Sequence, residues 1–428
     1  MAKPKKYRDW VKLDNAAKVF PSTTDKRDSK VFRFTCELKE QVDAQILQKA
    51  LDETLLSYSG FLTVLKHGFF WYYLESTDLK PEVHIENKQI CSPLYDKNED
   101  GLLFDVSYFG TRINLEVYHV LTDGTGALEF LRHMTCTYLA MLHAAELAEA
   151  PRFSGRGVSV TEKMEDSFQK YYDPKKKRGK KRIQAYKVTG ARLPEDMVKV
   201  VEGILPADKL VALARSYDTT ITIFLTAILL CAVHENRAVR EYKKPVCMAI
   251  PVNLRRYFAS DSTRNFFCVT HIRYYFEREK ADLREVIRSV SAQFQENLTV
   301  EKLSESINTF VSIEKNAAVR AVPLAIKDFF IRKAYQLNDR AITGSFSNIG
   351  VVELPKEYVK YVRMFDVMIS TRKLQICMCS FENNLVVNFT DSFVSTDIPK
   401  YFFRTLSGMG IPMEIASNPV YEERGKRA

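Results

Sequence analysis

Residues 117 to 124 read VYHVLTDG, which sets His119 four positions ahead of Asp123 and places Gly124 directly after the carboxylate. An imidazole with a pKa near ~6.5 is the side chain best suited to take and return a proton at neutral pH. If buried it stays neutral more easily, and a neutral ring is a base. The Asp-Gly pair suits a tight turn, with Gly124 supplying backbone freedom that a side chain would deny. Asp123 stands where a helix cap belongs, and either that cap or an ion pair would hold the turn that aims the histidine. A satisfied core histidine followed by a turn is the other reading of the same residues.

The strand before the motif decides where the ring points. In TRINLEVYH the apolar row Ile113, Leu115, Val117 shares a face with His119, while Asn114, Glu116 and Tyr118 face the other way. After Gly126, ALEFLRHMTCTYLAMLH repeats apolar residues at helical spacing, so a long helix leaves the strand directly. Upstream, KVFRFTCEL alternates as a strand with one apolar face, QVDAQILQKALDETLLSY reads as a helix, and GFFWYYLE reads as another strand. LLFDVSYFG runs into TRINLEVYH as a hairpin through Gly110. Between about 150 and 190 the pattern lapses into glycine, serine and charge, a crossing between halves. Beyond it, Pro206 or Asp208 starts a helix and Thr220 or Thr222 caps the next. KPVCMAIPVNLRRYF reads as a buried strand ending at Pro251, and FCVTHIRYYF, GSFSNIGVVELP, LQICMCSF and LVVNFTDSF as further strands. The expectation is a mixed α/β protein with helices packed on large sheets. NLVVNFTDSFVSTDIPKYFF echoes the strand–turn–helix order around His119 without a histidine.

The chain has 428 residues, 46% hydrophobic and 27% charged, a globular balance that suits two domains or two halves. The net charge of +10 sits in two acid-free runs: PKKKRGKKR (174 to 182), with seven basic residues, and KPKKYR (3 to 8), with four. The remainder is nearly neutral, so no broad basic face for nucleic acid is expected. The greasiest run, residues 221 to 233, is shorter than the ~20 residues a bilayer span needs and reads as a buried helix. MAKPKKYRDW is not followed by an apolar stretch, and the eight cysteines lack paired metal spacing. These features point to a cytoplasmic protein with free thiols, no metal and no membrane span.

HVLTDG matches the HxxxDG signature of the superfamily that holds chloramphenicol acetyltransferase, nonribosomal-peptide condensation domains and plant acyltransferases. LDNAAKVFP, GFFWYYLE, PVNLRRYF followed by TRNFF, and SFSNIGVVELP together resemble the bacterial alcohol-acetyltransferase-like branch. The resemblance implies two chloramphenicol-acetyltransferase-like halves, a pseudo-dimer around a central tunnel. Residues 1–165 would form the N-terminal half, 166–190 a basic crossing segment and 191–428 the C-terminal half. It implies His119 as general base and Asp123 in a structural ion pair, for which Arg255 is the candidate and Arg256 the next. Tyr118 stands where many relatives carry a second histidine, and the plant DFGWG motif is absent.

The chemistry this resemblance implies is direct attack of a hydroxyl or amine acceptor on a coenzyme A thioester. The expected partners are acyl-CoA and a small acceptor, and the expected state is a monomer. The oxygen that gains charge needs fixed donors, which GSFSNIG offers as Ser345, Ser347 and Asn348. The basic residues Lys175, Lys176, Lys177, Arg178, Lys180 and Lys181 are candidates for the donor's phosphates. Carrier-protein-dependent acyl transfer and a non-catalytic binding protein of the same fold are the alternatives.

Overall fold

The computed structural model describes residues 9–153, 166–173, 183–195, 197–276 and 282–419. In the first part of the chain, β1 (Trp10–Lys12) and β2 (Val31–Leu38) precede helix α1 (Ala44–Ser57). The hairpin β3 (Thr63–His67) and β4 (Tyr72–Ser76) comes next, then β5 (His84–Ile85), β6 (Phe104–Phe109), β7 (Arg112–Tyr118) and the long helix α2 (Gly124–Leu142). The second part opens with β8 (Lys199–Pro206), α3 (Ala207–Ser216), α4 (Ile221–Glu235), β9 (Val246–Asn253) and β10 (Phe267–Tyr274). Helices α5 (Leu283–Asn297), α6 (Val300–Lys315) and α7 (Leu324–Asp339) come after β10. The chain then runs through β11 (Gly344–Val351), β12 (Val362–Ile369), β13 (Leu374–Phe381), β14 (Asn384–Asp391), α8 (Asp397–Gly408) and β15 (Glu414–Ser417).

Two large sheets carry the architecture, in the orders β12-β2-β7-β6-β5 and β10-β9-β11-β13-β14-β8-β15, beside a small β1-β4-β3 sheet. Helices α1 and α2 cover the first sheet through Leu47, Leu51, Phe130 and Leu131, all buried in one core with Phe34 and Leu115. Helices α4, α5 and α8 cover the second through Phe224, Val290 and Phe402. The two sheets share an order: β8-β14-β13 repeats the antiparallel pairing of β2-β7-β6, and β15 and β12 add to the equivalent edges. β12, from residues beyond 190, is the edge strand of the first sheet and pairs antiparallel with β2.

Several sequence expectations change in the folded chain. β2 is not a half-exposed strand, because all eight of its residues are buried. Its polar row is satisfied by β7: Arg33 donates to Glu116 at 2.9 Å, Thr35 to Asn114 at 2.9 Å, and Glu37 accepts from Arg112 at 3.0 Å. Each is a directly opposed cross-strand pair. GFFWYYLE is strand only from Tyr72; Gly68 donates to the Trp71 carbonyl at 2.7 Å and closes the hairpin tip between β3 and β4. β9 runs two residues past Pro251. Its ladder with β11 involves only Met248 and Ala249, so a residue without an N–H is tolerated there. Pro206 and Thr220 are the helix-entry residues of α3 and α4. All eight cysteines are buried free thiols. Among the described residues no single helix is long and apolar enough to cross a membrane, and no three His, Cys, Asp or Glu side chains cluster as a metal site.

Candidate active site

His119 is the first residue after β7, and its backbone N–H donates to the Lys30 carbonyl at 2.9 Å. That carbonyl is aimed by an unusual backbone: Lys30 adopts φ 57°, a left-handed conformation that costs a non-glycine residue of order 1 kcal/mol. Its buried ammonium reaches Asp28 Oδ2 at 2.5 Å and Tyr335 Oη at 2.8 Å, which hold the residue in that shape. The His119 ring lies against Phe20, Phe32 and Phe267, with centroids 4.8, 4.9 and 5.5 Å away. Phe32 is the cross-strand partner of Val117, so the ring is on the side of the apolar row.

The ring's protonation is legible from its neighbours. Asn265 Nδ2 donates to the His119 carbonyl at 3.0 Å and to Asp14 Oδ2 at 3.1 Å, which fixes the orientation of that amide. Asn265 Oδ1 is therefore the acceptor facing His119 Nδ1 at 2.9 Å, and Nδ1 carries the proton. Nε2 is left with its lone pair. Burial pushes the imidazole pKa below the ordinary histidine value, against the opposing charge of Asp123, the Asn265 hydrogen bond and the charge of Asp14. The ring is thus neutral at neutral pH, and His119 remains partly accessible. Asp14 is itself buried, accepts from the Ala17 N–H at 2.7 Å and stands 3.6 Å from Arg264 Nε.

Asp123 both caps and pairs. One carboxylate oxygen accepts from the Thr125 and Gly126 N–H groups at 3.1 and 3.2 Å, the N-cap of α2. The other accepts from Arg255 Nη1 at 2.7 Å and from the Phe266 N–H at 2.9 Å. Arg255 also donates to the Ser262 and Arg264 carbonyls, so one guanidinium ties the start of α2 to the connection between β9 and β10. Arg256 turns elsewhere, toward Gly350 at the end of β11. Tyr118 is fully buried on the opposite strand face, its hydroxyl 2.8 Å from Thr24 Oγ1 and its ring stacked on Tyr95.

Gly124 is the first residue of α2, directly after the turn, and it supplies room, since a Cβ there would meet Ile349 Cδ1 at 3.2 Å. The tighter glycine is Gly126, where a Cβ would overlap Thr122 Oγ1 and the Thr263 carbonyl. Asn348, the third oxyanion candidate, stands toward α4. Its amide donates to Thr222 Oγ1 at 2.8 Å and its oxygen accepts from the Gly350 N–H at 2.8 Å. Ser345 and Ser347 pair with Gln375 and Cys377 and so share the face of Cys377, which belongs to the core of the first sheet. Lys175, Lys176, Lys177, Arg178, Lys180 and Lys181 lie outside the described residues.

Reasoning on the sequence did not assign Asn265, Asp14 or Lys30 a place beside His119. Asn265 lies 146 positions from the histidine, so no local spacing could reveal it.

A family model described as alcohol acetyltransferase matches residues 206–391. No curated protein matches the chain. Among solved structures, the trichothecene 15-O-acetyltransferase of Fusarium sporotrichioides superposes with a TM-score of 0.61 at 11% identity, over 95% of this chain and 96% of that one. A Fusarium graminearum protein complexed with coenzyme A and T-2 mycotoxin gives 0.63 at 9%, over 95% and 99%. The first condensation domain of the CDA synthetase gives 0.57 at 15%, over 94% and 96%. The chain therefore has a mixed α/β fold with packed helices, similar to that of these acetyltransferase and condensation-domain structures.

Proposed function

We propose that the protein is an acyltransferase that moves an acetyl-like group from a coenzyme A thioester to a hydroxyl acceptor, with an amine as the other acceptor class. His119 Nε2 takes the acceptor's proton as its oxygen attacks the thioester carbonyl, and returns a proton to the departing thiolate. The observation that carries this reading is the Asn265 contact, which holds the proton on Nδ1 and leaves the Nε2 lone pair free to act as the base in a neutral ring. Proton transfer of this kind contributes about 10²- to 10⁴-fold in rate. Asp123 and Arg255 position the motif rather than touch the reactants. Ser345, Ser347 and Asn348 are the donors offered to the oxygen that becomes negative, and the basic segment 175–181 is offered to the donor's phosphates. In this reading the two halves form a pseudo-dimer, and donor and acceptor approach His119 along a tunnel between them.

The test is release of free thiol from acetyl-coenzyme A in the presence of pooled alcohols and amines. Turnover by the native chain that falls at least 10²-fold in a folded His119→Ala variant is expected. Undiminished turnover in that variant removes His119 from the mechanism. Release only from an acyl group loaded on a carrier protein would assign the donor to that class instead.

A further inference from the structure

Helix α7 is amphipathic in the reverse sense. Its inward side is polar: Asp328 accepts from Ser22 Oγ and Tyr72 Oη, both at 2.7 Å, Arg332 donates to the Ser22 carbonyl at 3.1 Å, and Tyr335 meets Lys30. Ile326, Phe329, Phe330, Lys333 and Leu337, spaced three, one, three and four apart, form the opposite side, and all are exposed. Phe329 and Phe330 leave 54% and 63% of their surface in solvent, where a surface helix ordinarily turns such residues to the core. Not one residue of α7 is buried.

The β3–β4 hairpin tip extends this surface. Leu324 donates to the Phe69 carbonyl at 2.9 Å, and Lys327 Nζ reaches the Phe70 carbonyl at 3.1 Å while lying 3.9 Å above the Trp71 ring. Phe69 is 72% exposed, and Phe70 and Trp71 are exposed beside it. Cations border these rings: Lys327 lies over Phe70 and Trp71, and Lys333 Nζ is 5.7 Å from the Phe329 ring centroid. The acids of the same helix are engaged elsewhere, Asp328 on the inward side and Asp339 with Lys373 at 2.9 Å. Phenylalanine and tryptophan bordered by lysine on the outer side of a surface helix match the chemistry of an anionic lipid interface.

We infer that α7 and the β3–β4 tip form a docking surface for an anionic phospholipid membrane, with Phe69, Trp71, Phe329 and Phe330 entering the headgroup region and Lys327 and Lys333 meeting lipid phosphates. The surface carries no bilayer-spanning element, so association is peripheral and reversible. It is independent of the acyl-transfer reading, since it uses none of the residues around His119.

The experiment is co-sedimentation of the full chain with vesicles of phosphatidylcholine alone and of equimolar phosphatidylcholine and phosphatidylglycerol. Binding to the mixed vesicles, weakened by added salt and weaker on phosphatidylcholine alone, is expected. Phe329→Ser/Phe330→Ser should reduce the partition coefficient about tenfold or more, with an unchanged melting temperature because both rings are already in solvent. Lys333→Glu, which alters charge and removes no packing, should lower binding to mixed vesicles severalfold and serves if the double variant does not fold. Absence of vesicle binding, or equal binding by native and variant chains, overturns the proposal. So does a concentration-dependent dimer that the double variant abolishes, because a second copy would then cover this face.

Discussion

Replacing Asp123 by alanine removes four acceptor contacts at once, and its cost can be worked from them. Loss of the cap on the Thr125 and Gly126 N–H groups costs about 1 kcal/mol. Loss of the carboxylate from Arg255 leaves a buried guanidinium without its counter-charge, and breaking one side of a buried pair costs about 3–5 kcal/mol. Together that is about 4–6 kcal/mol, a large part of the roughly 5–15 kcal/mol that holds a folded domain. Urea unfolding of the native chain, Asp123→Ala, Arg255→Met and the double variant completes a double-mutant cycle. The double variant should lose less than the sum of the single variants, by about 2 kcal/mol or more, because neither charge is then left alone. Arg255→Met also strips donors from the Ser262 and Arg264 carbonyls, but the cycle cancels that loss. An Asp123→Ala chain within about 1 kcal/mol of native stability, or a cycle with no coupling, would refute the view that this pair clamps the turn.

Asn265→Ala frees Nδ1 and lets the ring hold its proton on either nitrogen, so kcat for thiol release should fall about tenfold or more. The acid limb of the pH–rate profile should also move lower, because the lost hydrogen bond had favoured the imidazolium. In the native chain that acid limb should already lie below the ordinary histidine value of about 6.5, since burial disfavours the charged ring and activity is lost only as pH falls through the lowered pKa; initial rates across pH check both. The same sign governs stability: a histidine kept neutral by folding contributes stability that declines as pH drops below about 6.5, measurable as a falling melting temperature. Gly126→Ala forces a methyl into Thr122 and the Thr263 carbonyl and should cost about 1–3 kcal/mol, whereas Gly124→Ala meets the movable end of Ile349 and should cost less, a ranking thermal melts would settle.

How much of the molecule is legible in its sequence depends on how local each signal is. The strand, turn and helix around His119 are one continuous segment, so alternation, an acidic cap and helical spacing were enough to lay them out. The pairing of β12 with β2 joins positions more than 300 apart, and nothing in VRMFDVMI says which sheet it will enter. β2 misleads for a physical reason: Arg33, Thr35 and Glu37 look like a solvent face until their partners on β7 are known, because a buried polar row is indistinguishable from an exposed one by type alone. Helix α7 reverses the same rule, with its aromatic row outside and its hydrogen-bonding row inside.

The deeper gap concerns the histidine itself. LDNAAKVFP and TRNFF lie some 250 positions apart, yet Asp14 from the first and Asn265 from the second meet at 3.1 Å directly behind the imidazole. No neighbour in sequence announces either role. The tautomer with its proton on Nδ1 therefore depends on contacts from two distant parts of the chain, and the Asp123–Arg255 pair ties His119's own turn to the second of them a few residues away. A disturbance of the β9–β10 connection should reach His119 without touching it. Arg264, whose guanidinium donates to the Lys12 carbonyl at 2.7 Å while standing beside Asp14, is the residue through which that would be felt. An Arg264→Ala chain should thus lose thiol-release kcat with little change in KM. A lowered melting temperature with kcat intact would place Arg264 in stability alone.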